Sequence, residues 1–107
     1  MSVRHSSYFG AEDTAVTYAT AQTNAVVLTP VTGRSISIQG YCITADTAML
    51  VTVKIGTTVC LRFYFPANGG ANCASEAPIS VGAANETINV TTSTNGNVTF
   101  SFWGYQD

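Results

Sequence analysis

Apolar residues return at every second position through most of this chain, and a run with that period buries one face only as an extended strand. Between residues 35 and 44, Ile36, Ile38, Gly40 and Cys42 fall on one side, and Ser35, Ser37, Gln39, Tyr41 and Ile43 on the other. Met49, Val51, Val53 and Ile55 then alternate with Leu50, Thr52 and Lys54, and Leu61, Phe63 and Phe65 with Arg62 and Tyr64. Ile88 and Val90 alternate with Thr87, Asn89 and Thr91, and Val98, Phe100 and Phe102 with Thr99, Ser101, Trp103 and Tyr105. Residues 16–20 and 25–29 read as weaker strands, the second closed by Pro30 and the Thr32-Gly33 turn. No segment repeats with the 3.6-residue period of a helix. The pattern predicts an all-β domain, a single antiparallel β-sandwich, jelly-roll-like, over residues 15–107. Residues 1–14 carry no clean period and are expected to form an extended N-terminal arm.

Turn chemistry separates the strands. Residues 44–47 and the Gly56-Thr57-Thr58 segment read as short turns, and residues 66–72 as a longer loop rich in Gly, Asn and Pro. Asn95-Gly96 sits between two alternating runs, the strongest local hairpin signal, and predicts that the last two strands are antiparallel neighbours.

Charge and composition narrow what such a domain does. At 107 residues, with 46% hydrophobic residues, the chain is long enough for one self-contained core and far from the composition of disorder. The four basic residues, Arg4, Arg34, Lys54 and Arg62, lie far apart and the net charge is -2, so no basic stripe offers itself to a phosphate backbone and no nucleic-acid partner is expected. No apolar run approaches the ~20 residues that span a bilayer, so no membrane partner is expected. The first residues have charge but no apolar stretch behind it, so they do not read as a secretory signal. The three cysteines are therefore expected as thiols at synthesis. Cys42 reads as a small core residue. Cys60 and Cys73 flank a segment ending in the Gly-rich loop and could close a bond under oxidising conditions, though spacing alone does not show that geometry permits it.

Only 9% of positions are charged and His5 is the single histidine, so the titratable groups that a catalytic site must gather are scattered along the chain. Glu12-Asp13 is an adjacent acid pair with no further oxygen ligands at calcium-loop spacing. Glu76 and Glu86 have no spacing that marks a glycosidase pair. No C-x-x-C pair is present for zinc. Asn85-Glu86-Thr87, Asn89-Val90-Thr91 and Asn97-Val98-Thr99 match the glycosylation pattern but read most simply as Thr-rich strand sequence. No catalytic residue, metal ligand or cofactor is expected, and the chain is not expected to be an enzyme.

The second face of the strands carries the functional argument. With one face of each strand in the core, Tyr41, Ile43, Leu50, Tyr64, Trp103 and Tyr105 are left on the other. Contiguous apolar surface of that kind, rich in Tyr and Trp, marks a contact site. Tyr64, Trp103 and Tyr105 are accordingly expected at a subunit interface.

The absent signal, the Ala/Thr/Gly-rich β pattern and the ending Asn95-Gly96-Asn97-Val98-Thr99-Phe100-Ser101-Phe102-Trp103-Gly104-Tyr105 resemble the small β-sandwich virion proteins of tailed bacteriophages, and most of all capsid decoration, or cement, proteins. The resemblance implies a non-enzymatic homotrimer on the outer capsid surface, made in the host cytoplasm, that clamps neighbouring major capsid protein subunits. It carries no fixed site residues. On this expectation Arg4, His5, Tyr8 and Phe9 form a capsid-docking arm. The alternative is a carbohydrate- or receptor-binding module of a phage tail or fibre that uses Tyr64, Trp103 and Tyr105 as a stacking platform.

Overall fold

In the computed structural model, which describes residues 7–107, the chain forms β1 (Ser7–Phe9), α1 (Ala11–Thr14), β2 (Val16–Tyr18), β3 (Ala25–Leu28), β4 (Ile36–Ala45), β5 (Met49–Ile55), β6 (Thr58–Phe65), β7 (Gly69–Ala74), β8 (Ser80–Val81), β9 (Ile88–Thr92) and β10 (Val98–Gln106). Every pairing is antiparallel. One sheet runs β1-β10-β4-β7, with β2 also on β10 and β8 also on β4; the other runs β3-β9-β5-β6. Taking β1 with β2, and β7 with β8, as interrupted strands leaves eight strand positions. The first then pairs with the eighth, the second with the seventh, the third with the sixth and the fourth with the fifth. That nested pairing, a long hairpin rolled into two layers, is the jelly-roll form of the β-sandwich.

The core lies between the sheets. Ile36, Ile38, Ile43, Val51, Val53, Ile88, Val90, Val98, Phe100 and Phe102 are completely buried there, and the Phe100 and Phe102 rings stack 6.1 Å apart. For β5, β9 and β10 the inward faces are those the period predicts.

The phase of β4 is a correction. Trp103 pairs with Gly40 and Gly104 with Ile38, so Gln39 is an extra residue, a β-bulge. A bulge turns the rest of the strand over. Tyr41 and Ile43, expected outside, are in the core, whereas Cys42, expected inside, is exposed. The bulged Gln39 anchors the β7–β8 loop: its main-chain oxygen accepts from the Ser75 N–H at 2.9 Å and its Nε2 donates to Glu76 O at 2.6 Å.

A second correction concerns Asn95-Gly96. β9 and β10 are not neighbours; they lie in opposite sheets and the 93–97 loop crosses between them. A two-residue type I′ turn needs positive φ at both central residues, but only Gly96 has it. The loop's polar groups bind elsewhere. Asn95 Oδ1 accepts from the Ala21 N–H, Gly96 N–H donates to Ala19 O, and Asn97 binds Asp46. The tight hairpin is β5–β6, where Ile55 pairs with Thr58 across Gly56-Thr57 and Gly56 takes φ +61.

The N-terminal segment differs from an arm over residues 7–14. β1 pairs with the end of β10, Phe9 is 5% exposed and belongs to the core, and β2 continues along the same edge of β10. α1 breaks this edge strand for one turn, closed at its start by the Gly10 N–H donating to Asp13 Oδ2 at 2.9 Å. Opposite the break, the buried Thr14 hydroxyl accepts from the Phe102 N–H at 2.6 Å and donates to Phe102 O at 2.7 Å, standing in for the missing strand.

Candidate functional site

The aromatic residues expected at one interface divide between the two outer faces. On β10 the core takes Phe100, Phe102 and Gly104, so Trp103 and Tyr105 point outward from the first sheet. Tyr8 pairs across from Tyr105 on that same face, with ring centroids 6.0 Å apart in an edge-to-face contact. Trp103 lies over Gly40, where a side chain would collide with the indole. The cross-strand glycine thus makes room for the ring to lie flat on the sheet. Tyr64 projects from β6 on the outer face of the second sheet. It is therefore not part of a single platform with Trp103 and Tyr105. Of the expected docking-arm residues, Arg4 and His5 lie outside the described residues, Tyr8 is 78% exposed, and Phe9 is withdrawn into the core.

β6 is an edge strand of its sheet. Leu50 N–H donates to Ser93 Oγ at 2.8 Å and Leu50 O accepts from the Ser93 N–H, so the main-chain polar groups of Leu50 point away from β6. Strand alternation then directs those of Val51 toward β6, where its partner is Phe63. The N–H and C=O groups of Arg62 and Tyr64 consequently face outward at the open edge. Tyr64 is 82% exposed and Val59 is also exposed. The ladder shifts between Val53 and Lys54, whose partners are Leu61 and Val59, which makes Cys60 a bulge residue on β6.

The titratable groups of the described residues do not converge. Among the described residues no three His, Cys, Asp or Glu side chains are grouped to hold a metal ion, and no helix is long and apolar enough to cross a membrane. Glu86 uses its carboxylate to accept from the Ala83 N–H at 2.7 Å, beside Gly56. Asp46 joins the β4–β5 turn to the 93–97 loop: its carboxylate accepts from the Thr47 hydroxyl, the Asn97 N–H and Asn97 Nδ2 at 2.8, 2.8 and 2.9 Å. These bonds, that of Thr47 foremost, hold its carboxyl below the usual carboxylate range. Beside it lies a shallow hollow lined by Thr44, Ala45, Asn68, Gly69 and Gly70. All three cysteines are free. Cys60 donates to Val53 O at 3.3 Å, and burial pushes its thiol up in pKa, toward the unreactive protonated form. Burial, and to a lesser extent Cys73, raise the Tyr41 phenol.

Three residues with structural roles, Thr14, Gln39 and Gly104, differ in how far the sequence marks them. Thr14 and Gly104 had no distinguishing local pattern. The Gln39 bulge did: the apolar positions 36, 38, 41 and 43 skip by three once, which breaks a strict period of two. Compared with protein-family models, curated proteins and solved structures, the chain matches none.

Proposed function

We propose that this protein is a non-enzymatic structural subunit that self-associates and decorates the outer surface of a viral capsid, clamping neighbouring major capsid protein subunits. The observation that carries the reading is the character of the described surface: it presents bare tyrosines, Tyr8 at 78% and Tyr64 at 82% exposure. Surfaces of this kind lose few charge–water contacts when covered. A jelly roll also occurs among capsid and lectin domains, a supporting analogy at the level of fold. A protein that binds only the assembled capsid stabilises it by RT ln(1 + [L]/Kd) per site, and self-association adds effective concentration once one subunit has docked. Capsid contacts are assigned to Arg4 and His5 together with Tyr8, Phe9 lying in the core. Co-sedimentation with purified capsids, read for the intact protein and for a chain lacking residues 2–6, tests this: the intact protein should pellet and raise the temperature of capsid rupture. If neither form binds, the decoration reading falls; if both bind equally, the docking segment is wrong.

A second reading is favoured by the Tyr8–Tyr105–Trp103 face, because aromatic rings on a rigid sheet also stack on sugar rings. Binding to a glycan array that is lost in both Tyr8→Ala and Trp103→Ala would support it over decoration.

A further inference from the structure

Resting on the reading of the protein as a self-associating subunit, we infer that β6 pairs antiparallel with β6 of a second copy about a two-fold axis through Phe63, joining two sandwiches edge to edge. Three observations converge on that occupant and register. The edge is open: the main-chain groups of Arg62 and Tyr64 face outward with no strand of the described residues beside them, and such a row of alternating N–H and C=O groups is a template for another strand. The usable window is short and symmetric. The Cys60 bulge ends regular pairing on one side and Pro66 removes a donor on the other, leaving Leu61 to Phe65 with Phe63 at its centre. The window is also self-complementary. Centring the axis on Phe63 sets Arg62 opposite Tyr64 of the second copy twice, each pair exchanging both main-chain bonds, and the guanidinium lies across the neighbouring ring on the outer face. The same register places Leu61 against Phe65 on the inner side.

The other edges suit this role less well: that of β1 and β2 is broken by α1. β7 is built from Gly, Ala, Asn and Cys, and small residues hold a register weakly. β3 has four residues and a register shift of its own.

The test uses the purified full chain. Light scattering over a concentration series should show dimers. Amide exchange should slow at Arg62 and Tyr64 as concentration rises, while Phe63 and Phe65, bonded to β5, stay protected throughout. Tyr64→Pro removes a donor that the β5–β6 ladder does not use, so the domain keeps its circular dichroism while the dimer weakens by roughly thirtyfold, two main-chain bonds being lost per dimer. Tyr64→Thr keeps those bonds, loses the ring contact and should weaken the dimer less. A monomer at the highest concentration, a trimer, or exchange at Arg62 and Tyr64 that ignores concentration overturns the inference, whatever Tyr64→Pro does to folding. Capsid co-sedimentation is read separately. A dimer with this signature that binds no capsid sinks the decoration reading alone; capsid binding without the signature sinks the β6 pairing alone.

Discussion

Thr14 is where a single hydroxyl replaces a length of strand, and removing it isolates that role. The side chain is 2% exposed and bonds both main-chain groups of Phe102, at 2.6 and 2.7 Å, where α1 interrupts the edge of the sheet. Thr14→Val keeps the shape and removes both bonds, leaving a buried N–H and a buried C=O without partners. Each such group costs about 1–3 kcal/mol, partly offset because the hydroxyl no longer needs desolvating, for a net loss of roughly 2–4 kcal/mol. Thr14→Ser keeps the bonds and loses one methyl, about 1 kcal/mol. At about 4–6 °C per kcal/mol for a domain of this size, the valine variant should melt roughly 10–20 °C below the parent and the serine variant roughly 5 °C below. Urea unfolding followed by circular dichroism measures both, with an unchanged slope certifying a common transition. Exchange at the Phe102 amide should accelerate in Thr14→Val alone. A valine variant as stable as the serine variant would refute the idea that the hydroxyl completes the sheet.

Three further outcomes follow from the same geometry. A Cβ at Gly104 would strike the main-chain oxygen of Ser37, whereas one at Gly40 meets the movable Trp103 ring; Gly104→Ala should cost more than the roughly 1–3 kcal/mol of ordinary overpacking, and Gly40→Ala should cost less and red-shift tryptophan emission. Asp46 has a depressed pKa when folded, so its contribution is complete above the unfolded carboxyl value and is lost as pH falls through the folded one; Asp46→Asn should flatten the acid limb of a stability–pH profile and leave the neutral plateau shaped as before. Thiol labelling of the native protein should modify Cys42 and Cys73 quickly and Cys60 only slowly; equal rates would contradict the burial of Cys60.

The alternation of β5, β9 and β10 made their inner faces legible because nothing interrupts those runs. Where the chain departs from strict alternation, the inner face is not legible from the period, for identifiable physical reasons. In β4 the Gln39 bulge inverts every later residue, so a correct strand received the wrong side for Tyr41, Cys42 and Ile43. Asn95-Gly96 carries hairpin chemistry, but its groups bind the 19–21 segment and Asp46, contacts distant in sequence that outweigh local preference. Residues 7–14 show no clean period, and so suggest an extended arm, because their strand is broken by a helical turn too short to show a period of its own. For the candidate surface, the exposure of Tyr64 was legible as an apolar strand's second face. Its separation from Trp103 and Tyr105 was not, because that depends on which sheet each strand joins.

The nested pairing also explains why β6 is the edge that matters most. Of the four strand pairs in the roll, only β5–β6 closes through a two-residue turn; the others join segments far apart in sequence. Loop closure makes such distant pairs slow to form, so the local hairpin is the element expected first, with its outer edge uncovered while the rest of the roll assembles. In the finished fold no strand of the described residues covers that edge. An apolar strand in this position invites open-ended pairing unless something limits it. The Cys60 bulge and Pro66 do so, by cutting an eight-residue strand to a window with one symmetric register. An edge limited in this way is satisfied by one partner strand, and two-fold pairing within the window consumes both edges at once, so assembly there closes at two copies and leaves the outer faces free for other contacts.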